Sequence, residues 1–173
     1  MTHSFIRAEN LKAVFVDLDD TLSDETAHMR GAIGRSLHDQ RHRLPHGKAD
    51  AAAREYESIV RDLTSRYAWD EMTREQRWEL ALQRADVEDG NLAAKISEGY
   101  FRHYYEGVSF LPGAERLLDS ASRLKSCLIT NGTSEHQWGK IKLLDIDSRV
   151  DHILVSEDVG IQKPDRQIFE RAL

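Results

Sequence analysis

Residues 11–22 read Leu11-Lys12-Ala13-Val14-Phe15-Val16-Asp17-Leu18-Asp19-Asp20-Thr21-Leu22, an apolar run that closes on three acids. The run Ala13–Val16 is short, β-branched and aromatic, the texture of a strand buried on both faces of a parallel sheet. Lys125–Thr130, KSCLIT, has the same character and runs into Asn131-Gly132-Thr133, a sequence that favours a turn. A third such stretch, Val150–Val155, is centred on His152-Ile153-Leu154 and followed by Ser156-Glu157-Asp158. Helices separate them. One is opened by Pro112-Gly113 and spans Ala114 to Ala121; another is capped by Ser134 and reaches about Leu144. Beyond the loop marked by Gly160 and Pro164, a last helix starts at Asp165, with Ile168, Phe169 and Leu173 on its apolar side. Alternating strands and helices imply right-handed crossovers and a parallel sheet, so the expected fold class is α/β.

From about Ser23 to Val108 the texture changes. Pro45 is the single proline there, β-branched residues are sparse, and Ala, Arg, Glu, Leu and Gln dominate. Apolar residues recur at helical spacing at Met29, Ile33 and Leu37; at Tyr56, Ile59, Val60 and Leu63; at Trp78, Leu82 and Ala85; and at Leu92, Ile96, Tyr100 and Tyr104. Thr73 and Gln76 have the form of a capping box, and Asp70 and Asp89 stand where caps are expected. The spacing predicts four or five helices and no strand. The expected organisation is a discontinuous α/β core, residues 1–22 and 109–173, interrupted after its first strand by a helical insert, residues 23–108.

Ligands of open parallel sheets bind beyond the carboxyl ends of the strands. Those ends carry Asp17 and Asp19, Thr130 and Asn131, and, after the third strand, the loop leading to Lys163. Carboxylates, a hydroxyl with backbone N–H groups and an ammonium together suit a phosphoryl group with a divalent cation. Hard oxygen ligands holding Mg2+ screen the repulsion between a phosphate monoester and a carboxylate nucleophile. Thr130 can donate to phosphoryl oxygens while Lys163 supplies compensating charge. A second carboxylate two residues after the first can protonate the leaving oxygen, then take a proton from the water that hydrolyses an acyl phosphate.

Asp17-Leu18-Asp19-Asp20-Thr21-Leu22, Ile129-Thr130-Asn131-Gly132 and Gln162-Lys163-Pro164-Asp165 resemble, in order and separation, the first three signature motifs of the haloacid dehalogenase-like (HAD) hydrolase superfamily. The resemblance covers essentially the whole chain and is closest to the phosphatase branch with a helical cap. It implies a three-layer Rossmann-like parallel core with an inserted all-helical cap domain. It also implies roles. Asp17 would be the nucleophile that becomes an aspartyl phosphate. Asp19 would be the general acid/base, its backbone carbonyl joining the Asp17 carboxylate in holding Mg2+. Thr130, helped by the Asn131 amide, would bind phosphoryl oxygens, and Lys163 would hold nucleophile and phosphate together. The implied activity is a Mg2+-dependent phosphatase of a small phosphorylated metabolite. Dehalogenases of the superfamily usually lack an acid at the position of Asp19, which makes a 2-haloacid dehalogenase the third reading.

The family's fourth motif, an acidic pair after another strand, has no counterpart before Leu173, ten residues beyond Lys163. The corresponding expectation is a truncated member whose core is incomplete at its C-terminus, with weak Mg2+ binding and reduced or absent turnover. Its first strand would have an open edge through which copies self-associate. The second reading is accordingly a non-catalytic protein that keeps the fold for binding.

Composition bounds the rest. Of 173 residues, 40% are hydrophobic and 31% charged, enough apolar material for a core. The net charge of −6 disfavours a nucleic-acid partner. No apolar run reaches the roughly 18–20 residues that cross a bilayer. Met1–Asn10 is polar with no apolar signal region, and a single Cys points to a reducing compartment, so a cytoplasmic location is expected. Cys127 reads as a packing residue. His28, His38, His42 and His46 read as exposed helix residues, and Arg41-His42-Arg43 as a solvated helix end. Trp69, Trp78, Tyr100, Tyr104 and Tyr105 read as cap core or as contacts of the cap.

Overall fold

In chain order the elements are β1 (Ala13–Val16), α1 (Glu25–Asp39), α2 (Lys48–Ser65), α3 (Arg74–Arg84), α4 (Leu92–Gly107), α5 (Ala114–Ala121), β2 (Lys125–Thr130), α6 (Ser134–Leu143), β3 (His152–Val155), α7 (Ser156–Val159) and α8 (Arg166–Arg171). Short 3-10 turns occupy Arg41–Arg43 and Ile146–Ser148. This computed structural model describes residues 11–68 and 71–173, so the expectations for Met1–Asn10, Trp69 and Asp70 fall outside the described residues. The chain divides into two units, Met1–Asp24 with Ser109–Leu173, and Glu25–Val108.

The first unit is built on one parallel sheet in the order β1-β2-β3, with Val16 opposite Leu128 and Leu128 opposite Ile153. Strand alternation divides its side chains between two layers. Val16, Leu128 and Val155 pack with Ala114 and Leu118 of α5 and Ile141 of α6. Cys127 and Ile129 face the other way, onto Ile168 of α8. Helices on both faces give the three-layer α/β core expected from the alternation. The outer side of β1 pairs with no strand among the described residues.

The start of β3 differs from the sequence reading. Asp151 leaves the strand because its Oδ2 accepts from the Ser126 N–H at 2.8 Å, tying the approach of β3 to the start of β2. That hydrogen bond holds the Asp151 carboxyl below its ordinary range; the Lys142 ammonium does the same to Asp147, and the His103 hydrogen bond to Asp39. Each carboxyl binds its proton more weakly folded than unfolded. The stability it contributes is therefore complete above the unfolded value, about 3.9, and is lost as pH falls through the lower folded value. Urea midpoints should be lower at pH 3 than at pH 6, and the Asp151→Asn variant should show a smaller difference between the two.

The second unit, Glu25–Val108, is built of helices joined by turns and has no strand among its described residues. Its core stacks Tyr56 on Trp78 with ring centroids 4.0 Å apart, with Tyr100 and Tyr104 continuing the cluster. The Arg74 guanidinium lies 3.5 Å from the Phe101 ring centroid. Burial raises the Tyr100 phenol well above its ordinary value. The Thr73 capping box forms as read, Thr73 Oγ1 accepting from the Gln76 N–H at 3.2 Å and Gln76 Oε1 from the Thr73 N–H at 2.7 Å. Asp89 does not cap α4, whose N-cap is Asn91; its carboxylate takes the Arg43 guanidinium, with Nε at 2.9 Å. Arg43 is thus bound across the unit and is not a solvated helix end. His28 is buried and packs edge-on against Tyr104, unlike the exposed His38, His42 and His46.

Candidate active site

Asp17 follows β1 directly, and Leu18, fully buried, anchors the turn that comes next. The Leu18 carbonyl accepts from the N–H groups of Leu22 and Ser23, each at 2.9 Å, and Asp20 adopts a positive φ of 54° inside the turn. Asp is among the few non-glycine residues that tolerate this region. Because side chains alternate along extended backbone, burying Leu18 turns Asp17 and Asp19 to the opposite side.

There Asp17 Oδ1 accepts from the Leu18 N–H at 2.8 Å and from Lys163 Nζ at 2.5 Å. Its Oδ2 accepts no hydrogen bond among the described residues, and the side chain is 45% exposed. Lys163 Nζ also donates to the Ile129 carbonyl at 2.8 Å, which fixes the ammonium between β1 and β2. Asn131 locks the same loop in both directions: its Nδ2 donates to the Lys163 carbonyl at 2.9 Å and its Oδ1 accepts from the Lys163 N–H at 2.8 Å. Thr130, at the carboxyl end of β2, is fully buried, and its Oγ1 has no hydrogen-bond partner among the described residues. An orphaned buried hydroxyl costs about 1–3 kcal/mol, and a phosphoryl oxygen is the kind of acceptor that relieves it. Asp17, Asn131 and Lys163 are thus brought together by direct contact, while Thr130 touches none of them by hydrogen bond.

Asp19 is held from α6. Its Oδ1 pairs with the Lys140 ammonium, whose side chain is fully buried, and its Oδ2 accepts from Gln137 Nε2 at 3.1 Å. The start of α6 is not capped by Ser134. Thr133 is the N-cap and makes no side-chain cap bond, and the Glu157 carboxylate accepts from the Ser134 N–H at 2.7 Å. Ser156 Oγ takes the Gly132 N–H at 3.0 Å, and Asp158 accepts from the Trp138 indole at 2.8 Å. The acids after β3 therefore brace α6 and do not join the Asp17 cluster.

A family profile described as haloacid dehalogenase-like hydrolase matches residues 11–173. The chain belongs to the haloacid dehalogenase-like hydrolases. A glyceraldehyde 3-phosphate phosphatase of Pyrococcus abyssi is 28% identical over 169 residues, covering 94% of this chain and 67% of the relative. The pyrimidine 5'-nucleotidase YjjG of Escherichia coli is 34% identical over 98 residues, covering 56% of this chain and 42% of the relative. Among solved structures, the HAD-hydrolase YfnB of Bacillus subtilis, bound to magnesium, superposes with a TM-score of 0.69 at 25% identity, covering 92% of this chain and 69% of that one. The chain spans about two thirds of the length of the phosphatase relatives it matches.

Within the HAD frame, Gln137, Lys140 and Ser156 carry no expectation from the motifs. The local signal is slight. Gln137 and Lys140 lie three apart on α6, and Lys140 adjoins the buried Ile141, so polar side chains share the inward face of a short helix. That pattern shows that something polar is satisfied inside, but not which group.

Proposed function

We propose that this chain carries the catalytic core of a phosphoric monoester hydrolase that acts on a small phosphorylated metabolite through an aspartyl phosphate at Asp17. The carrying observation is the Asp17–Lys163 contact: residues 146 apart in sequence meet at the carboxyl ends of the strands, and the second oxygen of the partly exposed Asp17 carboxylate accepts no hydrogen bond among the described residues. Phosphatase and nucleotidase names among the relatives support the same class of reaction.

In the first step Asp17 Oδ2 attacks phosphorus, the new P–O bond forms, and the ester P–O bond breaks. Asp19 gives its proton to the departing alkoxide. In the second step water attacks phosphorus, Asp19 takes the water proton, and the P–Oδ2 bond breaks to restore Asp17. Lys163 neutralises charge on the nucleophile and on the transferring group, while Thr130 Oγ1, helped by the Asn131 amide, donates to phosphoryl oxygens.

Mg2+ fits the donors present, the Asp17 carboxylate and the Asp19 backbone carbonyl, because both are hard oxygens and this ion accepts few protein ligands when substrate oxygens and water complete its shell. Among the described residues no group of three or more His, Cys, Asp or Glu is arranged to hold a metal. When bound, the ion would offset the negative charge of nucleophile and phosphate. A dehalogenase reading is weaker, since departure of a halide needs no proton and leaves the braced Asp19 without a task.

The test is release of inorganic phosphate from a panel of sugar, triose and nucleoside monophosphates, with and without Mg2+. Release that depends on Mg2+ is expected for at least one ester. Silence across the panel, with the protein folded, would favour the binding-protein reading.

A further inference from the structure

Asp19 sits in a bracket that meets both oxygens of its carboxylate. Lys140 is the one lysine among the described residues with a fully buried side chain, and burying an ammonium is costly unless a charge partner meets it. Asp19 Oδ1 is such a partner. Gln137, 2% exposed, holds the other oxygen and donates from the same Nε2 to the Asn131 carbonyl at 2.9 Å. Space for this amide depends on Gly132. With φ at 139°, Gly132 has a backbone that L side chains rarely adopt, and a Cβ there would lie 2.4 Å from Gln137 Nε2. Both oxygens of one carboxylate are therefore gripped from one face of α6, and the grip is keyed to the loop that carries Asn131.

We propose that Lys140, seconded by Gln137, is the positioning residue for the acid/base carboxylate Asp19, fixing the direction in which that carboxyl faces the leaving oxygen. The assignment rests on the phosphatase reading. Proton transfer in the transition state is sensitive to the heavy-atom distance and angle of the donor, so a carboxyl held by both oxygens donates more efficiently than one free to rotate. The need for this donor depends on the ester. An alkoxide leaves poorly without a proton, whereas p-nitrophenolate leaves well without one.

The experiment compares kcat/KM on glycerol phosphate and on p-nitrophenyl phosphate for the wild-type enzyme, Lys140→Met and Gln137→Met. Met keeps volume and apolar contact, and thermal melts select the variants that fold. Lys140→Met should lose about tenfold or more on the alkyl ester and less than about threefold on the aryl ester, with the loss in kcat and not in KM. Gln137→Met should move both in the same direction by smaller factors, and it decides the matter should Lys140→Met not fold. A structural role alone would lower both esters alike. Equal losses in the folded variants, or none, overturn the assignment while leaving the phosphatase reading intact. A wild-type protein that hydrolyses neither ester overturns both.

Discussion

Asp17→Asn should abolish phosphate release, lowering kcat by about 10^4-fold or more while the protein stays folded. The amide has no anionic oxygen to attack phosphorus, so neither the acyl phosphate nor its hydrolysis can follow. The geometry makes the variant clean. An Asn Oδ1 can still accept from the Leu18 N–H and from Lys163 Nζ, the two donors that meet this oxygen now. The pair is partly exposed, with Asp17 at 45%, so removing the charge should change stability by no more than about 1 kcal/mol. Phosphate release and a thermal melt, measured side by side, separate the two effects. A variant that keeps even a tenth of the wild-type rate would remove Asp17 from the chemistry. Rapid-quench detection of a phosphorylated protein in the wild type, absent from the variant, would be the positive counterpart.

Trp78→Ala should cost about 3–5 kcal/mol, the range for deleting a large ring from a packed core. Trp78 is fully buried in the helical unit and stacks on Tyr56 at 4.0 Å, so the cavity would open at the centre of its aromatic cluster. The indole Nε1 has no hydrogen-bond partner among the described residues, so truncation breaks no polar contact and the loss is one of burial and stacking. Stacking of this kind adds about 0.5–1.5 kcal/mol beyond area. A denaturant titration followed by helical circular dichroism measures it. A change below about 1 kcal/mol would mean that the neighbouring helices close over the gap and that the ring is not the keystone of the unit.

The order of strands and helices was open to local reading because burial on a sheet and burial on a helix leave different periods. KSCLIT can bury alternate residues on two faces, and Leu128 against Cys127 and Ile129 does so. The Thr73–Gln76 box is equally local, three residues apart on one turn. Caps were misread where the satisfying group comes from a distance. Ser134 looked sufficient for α6, but the Glu157 carboxylate takes its N–H; Asp89 looked like a cap, but Arg43 claims it. His28 looked like one more polar helix residue, yet it faces Tyr104 because α1 turns that side inward.

Motif order and spacing pointed to Asp17, Asp19, Thr130, Asn131 and Lys163, since the first four stand at or just beyond strand ends, recognisable from the apolar runs before them, and Lys163 lies in the loop between α7 and α8. They did not point to Lys140 as a partner of Asp19. Lys140 and Asp19 are 121 residues apart, and nothing in either segment names the other. Their meeting depends on the rotation of α6 about its own axis, which Ile141 sets by packing under the sheet, and on the missing Cβ at Gly132 that lets Gln137 in. Periodicity records that a side chain is buried; only the folded arrangement records against what, because a buried charge is matched through space and leaves no period in the chain.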